Sequence, residues 1–341
     1  MTPGAYRDLR RYNSGEGSVL HRRPRTSCRL PSLMLGLALV QLFVPLAVPS
    51  AAVPTQAESE APDLRAVPRY EAPEPVVLQA QALQQLPAAE ALQGVAVDRD
   101  HVYAVVNFAI GKYERTTGKR VAGWVGQRRG LISHLNSCLV LDSRLWCANS
   151  NHPEVPMASS VEVFDAATME HVDSHSLGLM DEGSLTWFDR LGEAWIAGFA
   201  HYNDETGEPF KGNAYAGVHT FDSQWRRTGG WRLPTALIER MAPQAASGGA
   251  IGRDGFLYLF GHHKPELYVL AKPTMGPTLL HIATYEIDAE GQAFAFDPLD
   301  DRVIWAISRP KRELRSFRLP AIEAPPKHAQ RFAVGDRVVD P

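Results

Sequence analysis

Five stretches along the chain repeat one order of apolar and polar positions. Each starts at a small or polar residue, runs through a short apolar strand, turns at Asp or Gly, and returns as an aromatic-rich strand. The copies are QGVAVDRDHVYAVVN (93–107), NSCLVLDSRLWCANSN (136–151), GSLTWFDRLGEAWIAGFA (183–200), SGGAIGRDGFLYLFGHH (247–263) and GQAFAFDPLDDRVIWAIS (291–308). The turns are read at Asp98, Asp142, Asp189, Asp254 and Asp297, spaced 44, 47, 65 and 43 residues apart. That spacing brackets one propeller blade per copy, with the third enlarged.

After each hairpin the pattern adds a third strand and then, in four copies, a fourth: KYERTTGKR, VFDAATMEH, TFDSQWRRT and VLAKPTMGP each carry a strand, a turn and a returning strand. The fifth copy stops after ISRPKRELRSFRLP, where the chain turns Pro-rich. The segment PVVLQAQALQQLP (75–87) precedes the first hairpin and has none of its own. The expectation is therefore an all-β, five-bladed β-propeller over residues 76–320. An N-terminal strand closes the last blade and removes the free sheet edges. A short helix is the competing reading of VLQAQALQQL, since Leu, Gln and Ala favour helix, and six blades is the competing count. Residues 321–341 are expected as an extended tail.

The chain has 341 residues, 45% hydrophobic and 21% charged, enough apolar material for a large core and too little charge for disorder. Residues 1–52 carry seven Arg against Asp8 and Glu16, net +5; the chain total is −3, which leaves −8 on the rest. An acidic body lacks the basic footprint of a nucleic-acid binder. The basic stretch ends at Arg29, the apolar run LGLALVQLFVPLAV follows, and Ser50, Ala51 and Ala52 offer a cleavage site. This reads as an export signal leading to a periplasmic or secreted protein, with an uncleaved anchor as the alternative and no membrane contact expected beyond it. Residues 53–75, rich in Pro, Ala and Glu, read as a disordered linker.

Of three cysteines, Cys28 falls in the signal, and Cys138 and Cys147 lie in SCLVLDSRLWC. With Asp142-Ser143 as a two-residue turn, Cys138 falls opposite Cys147 at a non-hydrogen-bonded position. A disulfide and two buried thiols are both open readings.

In a propeller, the inlet to each innermost strand and the outlet of the second strand share one face. The inlets hold Gln93, His134 with Asn136, and Glu290 with Gln292. The outlets hold Asn107, then Asn149, Asn151 and His152, then His201 and Tyr202, then His262 with Glu266, and Arg309. Amides, imidazoles, an Arg and two carboxylates thus gather on one side, while the opposite turns are plainer. His134, His201 or His262 would serve as general base, and the three together would suit a divalent metal with an open position. Arg309 would grip a carboxylate, and Glu290 or Glu266 would be the complementary acid. Gln93, Asn107, Asn136, Asn149, Asn151, His152, Tyr202, Glu266 and Gln292 would hold the ligand. For each such residue, a solvated loop side chain is the bland alternative. Walker A, GxGxxG and GxSxG motifs are absent. The loop HYNDETGEPFKGNAYAG (201–217) reads as a lid over the mouth.

The segments QGVAVD, SHLNS, SSVEVFDAATMEHVDSHS, GSLTWFDR, FAHYND, RRTGGWRLP and GQAFAFD resemble a family of secreted bacterial propellers often labelled cycloisomerase, over roughly residues 90–310. The resemblance implies opening or closure of a ring in a small carboxylated molecule. It also implies, by analogy with lactonase-type propellers, a metal held at the axis. Where many members carry His before the Gln, this chain has Leu92. Three functions are thus expected in order: ring or lactone chemistry on an anionic or hydroxylated small molecule, noncatalytic ligand or protein binding, and a carbohydrate-acting hydrolase or lyase. The last would need two carboxylates facing each other.

Overall fold

Five small sheets stand around one axis, each entered from its innermost strand. The computed structural model describes residues 63–333; the expected export signal with Cys28, residues 53–62 of the linker and residues 334–341 of the tail lie outside the described residues. All strands belong to the unit that begins at Pro68. Blade one is Gly94–Val97, His101–Val106, Ala109–Glu114 and Arg120–Val125; blade two is Leu135–Leu141, Arg144–Ser150, Ala158–Asp165 and His171–Leu179. Blade three is Ser184–Leu191, Ala194–Ala200, Gly217–Phe221 and Arg227–Arg232. Blade four is Gly248–Ile251, Leu257–Phe260, Glu266–Pro273 and Leu280–Glu286. Blade five is Ala295–Phe296, Val303–Ser308 and Glu313–Arg318, completed by the N-terminal strand Gln81–Pro87. The fold is the expected five-bladed propeller.

The core is divided as a closed ring requires, with one apolar cluster at each of five blade interfaces. Tyr103 and Ile110 meet Leu145 and Phe164 between blades one and two. Val161 meets Leu185 and Phe221 between two and three. Trp187 and Val218 meet Leu257 and Tyr268 between three and four. Phe260 and Ile282 meet Phe294, Ile304 and Phe317 between four and five. Trp305, Ile307 and Leu314 meet Val95 and Val102 between five and one, with Leu86 of the closing strand beside them. The hub is tight enough to demand small residues. A Cβ on Gly94 would lie 2.8 Å from the Ala293 Cβ, and one on Gly248 would lie 2.5 Å from the Gln292 carbonyl oxygen.

Three details depart from the pattern. In blade three the turn falls at Gly192-Glu193, with Gly192 left-handed (φ 59°). Asp189 instead stays in the strand, buried, and accepts from Ile251 N at 2.8 Å. Asp followed by Arg looked like a turn because the other copies turn there; the glycine three residues on is what admits the left-handed backbone. The N-terminal segment makes two strands and no helix. Val76–Gln79 adds in parallel to the outer edge of blade four before Gln81–Pro87 closes blade five. The tail is extended but docked: Ala329–Gln330 pairs with Lys272 and Pro273, Phe332 N donates to Gly255 O at 2.7 Å, and the Phe332 ring is buried beside Trp231.

Asp142 and Ser143 both take positive φ (50° and 54°), as a primed two-residue turn needs. The turn sets Leu141 opposite Arg144 and Cys138 opposite Cys147, and the two cysteines form a disulfide with Cα atoms 4.0 Å apart. The free-thiol alternative is thereby set aside. Keeping this bond reduced is expected to lower unfolding free energy by about 2.7 kcal/mol, the loop-entropy value for so short a closed loop. Urea unfolding of protein refolded with and without reductant measures it, and equal midpoints would show that the bond adds nothing.

Candidate functional site

The inlets and outlets surround a cavity of about 450 Å³ on the face expected from strand order. Every blade contributes to its wall: Gln93 and Asn107 from blade one, His134, Asn136 and His152 from blade two, Tyr202, Asp204 and Thr206 from blade three, Gln244, Ser247 and His262 around blade four, and Gln292 with Arg309 from blade five. Backbone bonds lace neighbouring blades at this rim. Leu135 N donates to Asn107 O (2.8 Å), Ala293 N to Gln93 O (3.2 Å), and Gln292 N to Gly261 O (3.1 Å). The side chains are thus held by a rigid scaffold and not by free loops.

Three imidazoles sit in this mouth, and burial holds each below its ordinary value. His134 is lowered to about 3, first by burial and then by His152, His262 and Arg309. His262 is lowered to about 4 by burial, His263, Arg309 and His152, with Asp204 opposing. His152 is also lowered by burial, against Asp204. At neutral pH all three rings are therefore uncharged. The His134 and His152 ring centroids lie 4.8 Å apart, and Tyr202 meets His152 edge-on at 5.1 Å. Burial lifts the Tyr202 hydroxyl to about 12, so it remains a donor. Gln93 donates to the Asn107 side-chain oxygen at 2.7 Å.

Arg309 is the mouth's permanent cation. Its side chain is half-buried and makes no hydrogen bond or ion pair among the described residues. Burial and Arg312 weaken its hold on the proton, and Glu290 strengthens it. Glu290 lies behind, accepting from Ser308 Oγ at 3.2 Å, with Oε2 buried and unpartnered.

Several expected residues are directed elsewhere. His201 is fully buried and outside the mouth wall, its Nε2 3.3 Å from the Asp181 carbonyl and its Nδ1 3.9 Å from Glu208. Successive side chains of an extended chain point to opposite sides, so with Tyr202 in the mouth His201 points away. The trio His134, His201 and His262 thus does not assemble, and no group of three metal-ligating side chains converges among the described residues. Asn149 supports the wall from behind, accepting from His134 N (3.1 Å) and Ser133 N (3.3 Å). Asn151 closes its own loop, accepting from Ala158 N and donating to Pro156 O, both at 2.9 Å. Glu266 takes a two-pronged grip from Arg240 and a bond from Tyr268, so no Glu266–Glu290 acid pair faces the mouth. The 201–217 loop is stitched down: Asn203 and Asn213 bond twice at 2.8 Å, and Glu208 accepts from Met157 N at 3.0 Å.

Asp204 and Thr206, in the loop expected over the mouth, and Gln244, which lies outside every expected segment, also line it. Asp204 accepts from Thr206 and from Gln244 Nε2 (3.1 Å), a closure that only the folded loop creates.

The opposite end of the hub holds a somewhat larger cavity, about 500 Å³, floored by apolar side chains such as Leu139, Phe188 and Phe294. Its acidic Asp297 is already answered by Arg115 and by Trp305 Nε1. Arg309, half-buried and without a hydrogen bond or ion pair among the described residues, makes the mouth the candidate site.

No protein-family profile and no curated protein sequence matches this chain. Among solved structures, the chain is similar to the RRP9 WD40 repeats (9% identity, 66% of this chain and 79% of that one, TM-score 0.40). It is similar to U3-55K (10% identity, 66% and 80%, TM-score 0.39) and to hydrazine synthase of Kuenenia stuttgartiensis (12% identity, 67% and 72%, TM-score 0.40).

Proposed function

We propose that this chain is an exported propeller that binds a small anion in its axial mouth, with Arg309 as the anchoring cation. The observation that carries the reading is a half-buried guanidinium that makes no hydrogen bond or ion pair among the described residues, with Glu290 acting on it only from behind, in a cavity walled by neutral imidazoles and amides. Buried charges are normally paired, and a guanidinium fork matches a carboxylate or phosphate. Export is supported by the basic and apolar N-terminal run and by the disulfide, which persists in oxidising compartments.

The test is a binding panel of carboxylates of two to eight carbons with sulfate and phosphate, followed by calorimetry on wild type and Arg309→Gln. At least one anion is expected to bind, and the variant should weaken it roughly thirtyfold, the range for a hydrogen bond to a charged group. A panel in which nothing binds, or a variant that binds equally well, removes the reading.

A second reading, opening or closing of a carboxylated ring, is favoured by one feature: the neutral His134 and His152 rings in contact, with Arg309 among the charges acting on His134. An imidazole held as low as that of His134 is a weak base at neutral pH, so binding without turnover is the leading form. Assay against lactone and muconate substrates separates the two.

A further inference from the structure

Gln292 combines features that folding alone disfavours. Its backbone is left-handed (φ 74°), directly after left-handed Gly291 (φ 89°). This is a region that long L side chains rarely adopt. The pair crosses close to Gly261 at the outlet of blade four, where Gln292 N donates to the Gly261 carbonyl. A second glycine would make that crossing without strain. The side chain is nevertheless a long amide, 1% exposed, with Nε2 buried and unpartnered, and it lines the mouth. Asn136, from another blade, repeats the theme: it is 4% exposed, lines the same cavity, and leaves Oδ1 without a partner. Native proteins rarely leave buried amide atoms unsatisfied, and such exceptions point to an absent partner. Strain at a ligand cavity points the same way.

The chemistry of these groups narrows the ligand. Arg309 answers negative charge. A carboxamide offers one donor and one acceptor function, which suits a hydroxyl that is itself donor and acceptor. An apolar ligand body would leave both amides unsatisfied and be rejected for that reason. We infer that the ligand is a hydroxylated carboxylate, its carboxylate on Arg309 and its hydroxyls read by Gln292 and Asn136. This rests on the anion-binding reading above.

Quinate and cyclohexanecarboxylate make the test, since they share a six-membered ring and a carboxylate and differ in hydroxyls. Calorimetry on the wild type is expected to show quinate binding more than tenfold tighter. Gln292→Gly should cut that preference roughly fivefold, with Asn136 still reading, and leave cyclohexanecarboxylate within twofold. It should also leave the melting temperature unchanged or raise it by about 2 °C as the strain is relieved. If the glycine variant fails to fold, Asn136→Ala, which removes the other reading amide and leaves the left-handed backbone alone, is measured instead. Equal affinity for the two acids overturns the inference, as does a variant that keeps the preference. Failure of both acids to bind overturns it too. The broader reading is judged separately, by the anion panel with Arg309→Gln.

Discussion

A chain that begins at Ala88 is expected not to fold, while one that begins at Pro75 folds like the parent. The strand Gln81–Pro87 pairs with Glu313–Arg318 along its length, from Gln81 opposite Arg318 to Pro87 opposite Glu313. Its Leu86 is buried in the cluster between blades five and one. Removing it leaves Glu313–Arg318 as a bare edge carrying side chains that are now buried: Leu314, Arg315 and Phe317. Blade five would keep only three strands, one of them the two-residue Ala295–Phe296. An open edge of this kind pairs with other chains, and domains have little stability in reserve. Size-exclusion chromatography and a circular dichroism melt decide the matter. A monomer with a cooperative melt from the Ala88 chain would show that the ring does not need its N-terminal strand.

Acid should destabilise this protein well above the range in which carboxylates titrate. His134 is lowered to about 3, and His262 and His219 to about 4, against an ordinary value of 6.5. Burial is the first cause for each; Arg227 adds to it at His219, where Glu182 opposes. Neither ring nitrogen of His219 has a partner. A depressed histidine means that between the folded and unfolded values the unfolded chain binds more protons. Stability is therefore full above about pH 6.5 and falls as pH drops toward 4. Each ring accounts for up to about 1.8 kcal/mol between pH 7 and pH 5. Allowing for solvent screening at the open mouth, the three together should remove about 4 kcal/mol. Asp165, Asp222 and Asp300, lowered mainly by hydrogen bonds from neighbouring backbone N–H groups, act only at lower pH. His152, His201 and His281, also lowered first by burial, add to the loss; urea unfolding at the two pH values measures it, and His219→Leu should return up to about 1.8 kcal/mol. A change under 1 kcal/mol would mean the rings are hydrated in the folded state.

The blade repeat was readable because hairpin turns and aromatic return strands are local signals. The disulfide register was readable for the same reason, since Asp142-Ser143 alone sets which residues face each other. Ring closure by residues 81–87 was readable from a missing fourth strand. The parallel strand Val76–Gln79 and the docked Phe332 were not, because their partners lie far away in sequence. At the mouth, position along a connection was legible but direction was not. His201 and Tyr202 are neighbours, and the backbone sends one into the protein and the other into the cavity. Glu266 looked free until Arg240, from the helix Thr235–Met241, reached it. Polarity and position point to Gln292 in the sequence, whereas its left-handed backbone and unpartnered amide appear only in three dimensions.

The closing strand also sets the order of events during synthesis. Gln81–Pro87 is among the first parts of the propeller to be made, and its partner Glu313–Arg318 is the last strand of the five blades. For the whole time between, the early segment has no sheet to join, and blades one to four stack with a gap between the two ends. Native pairing at such sequence separation is slow and prone to wrong partners. A cell making this protein therefore gains by keeping the nascent chain apart from its copies until the last blade has emerged.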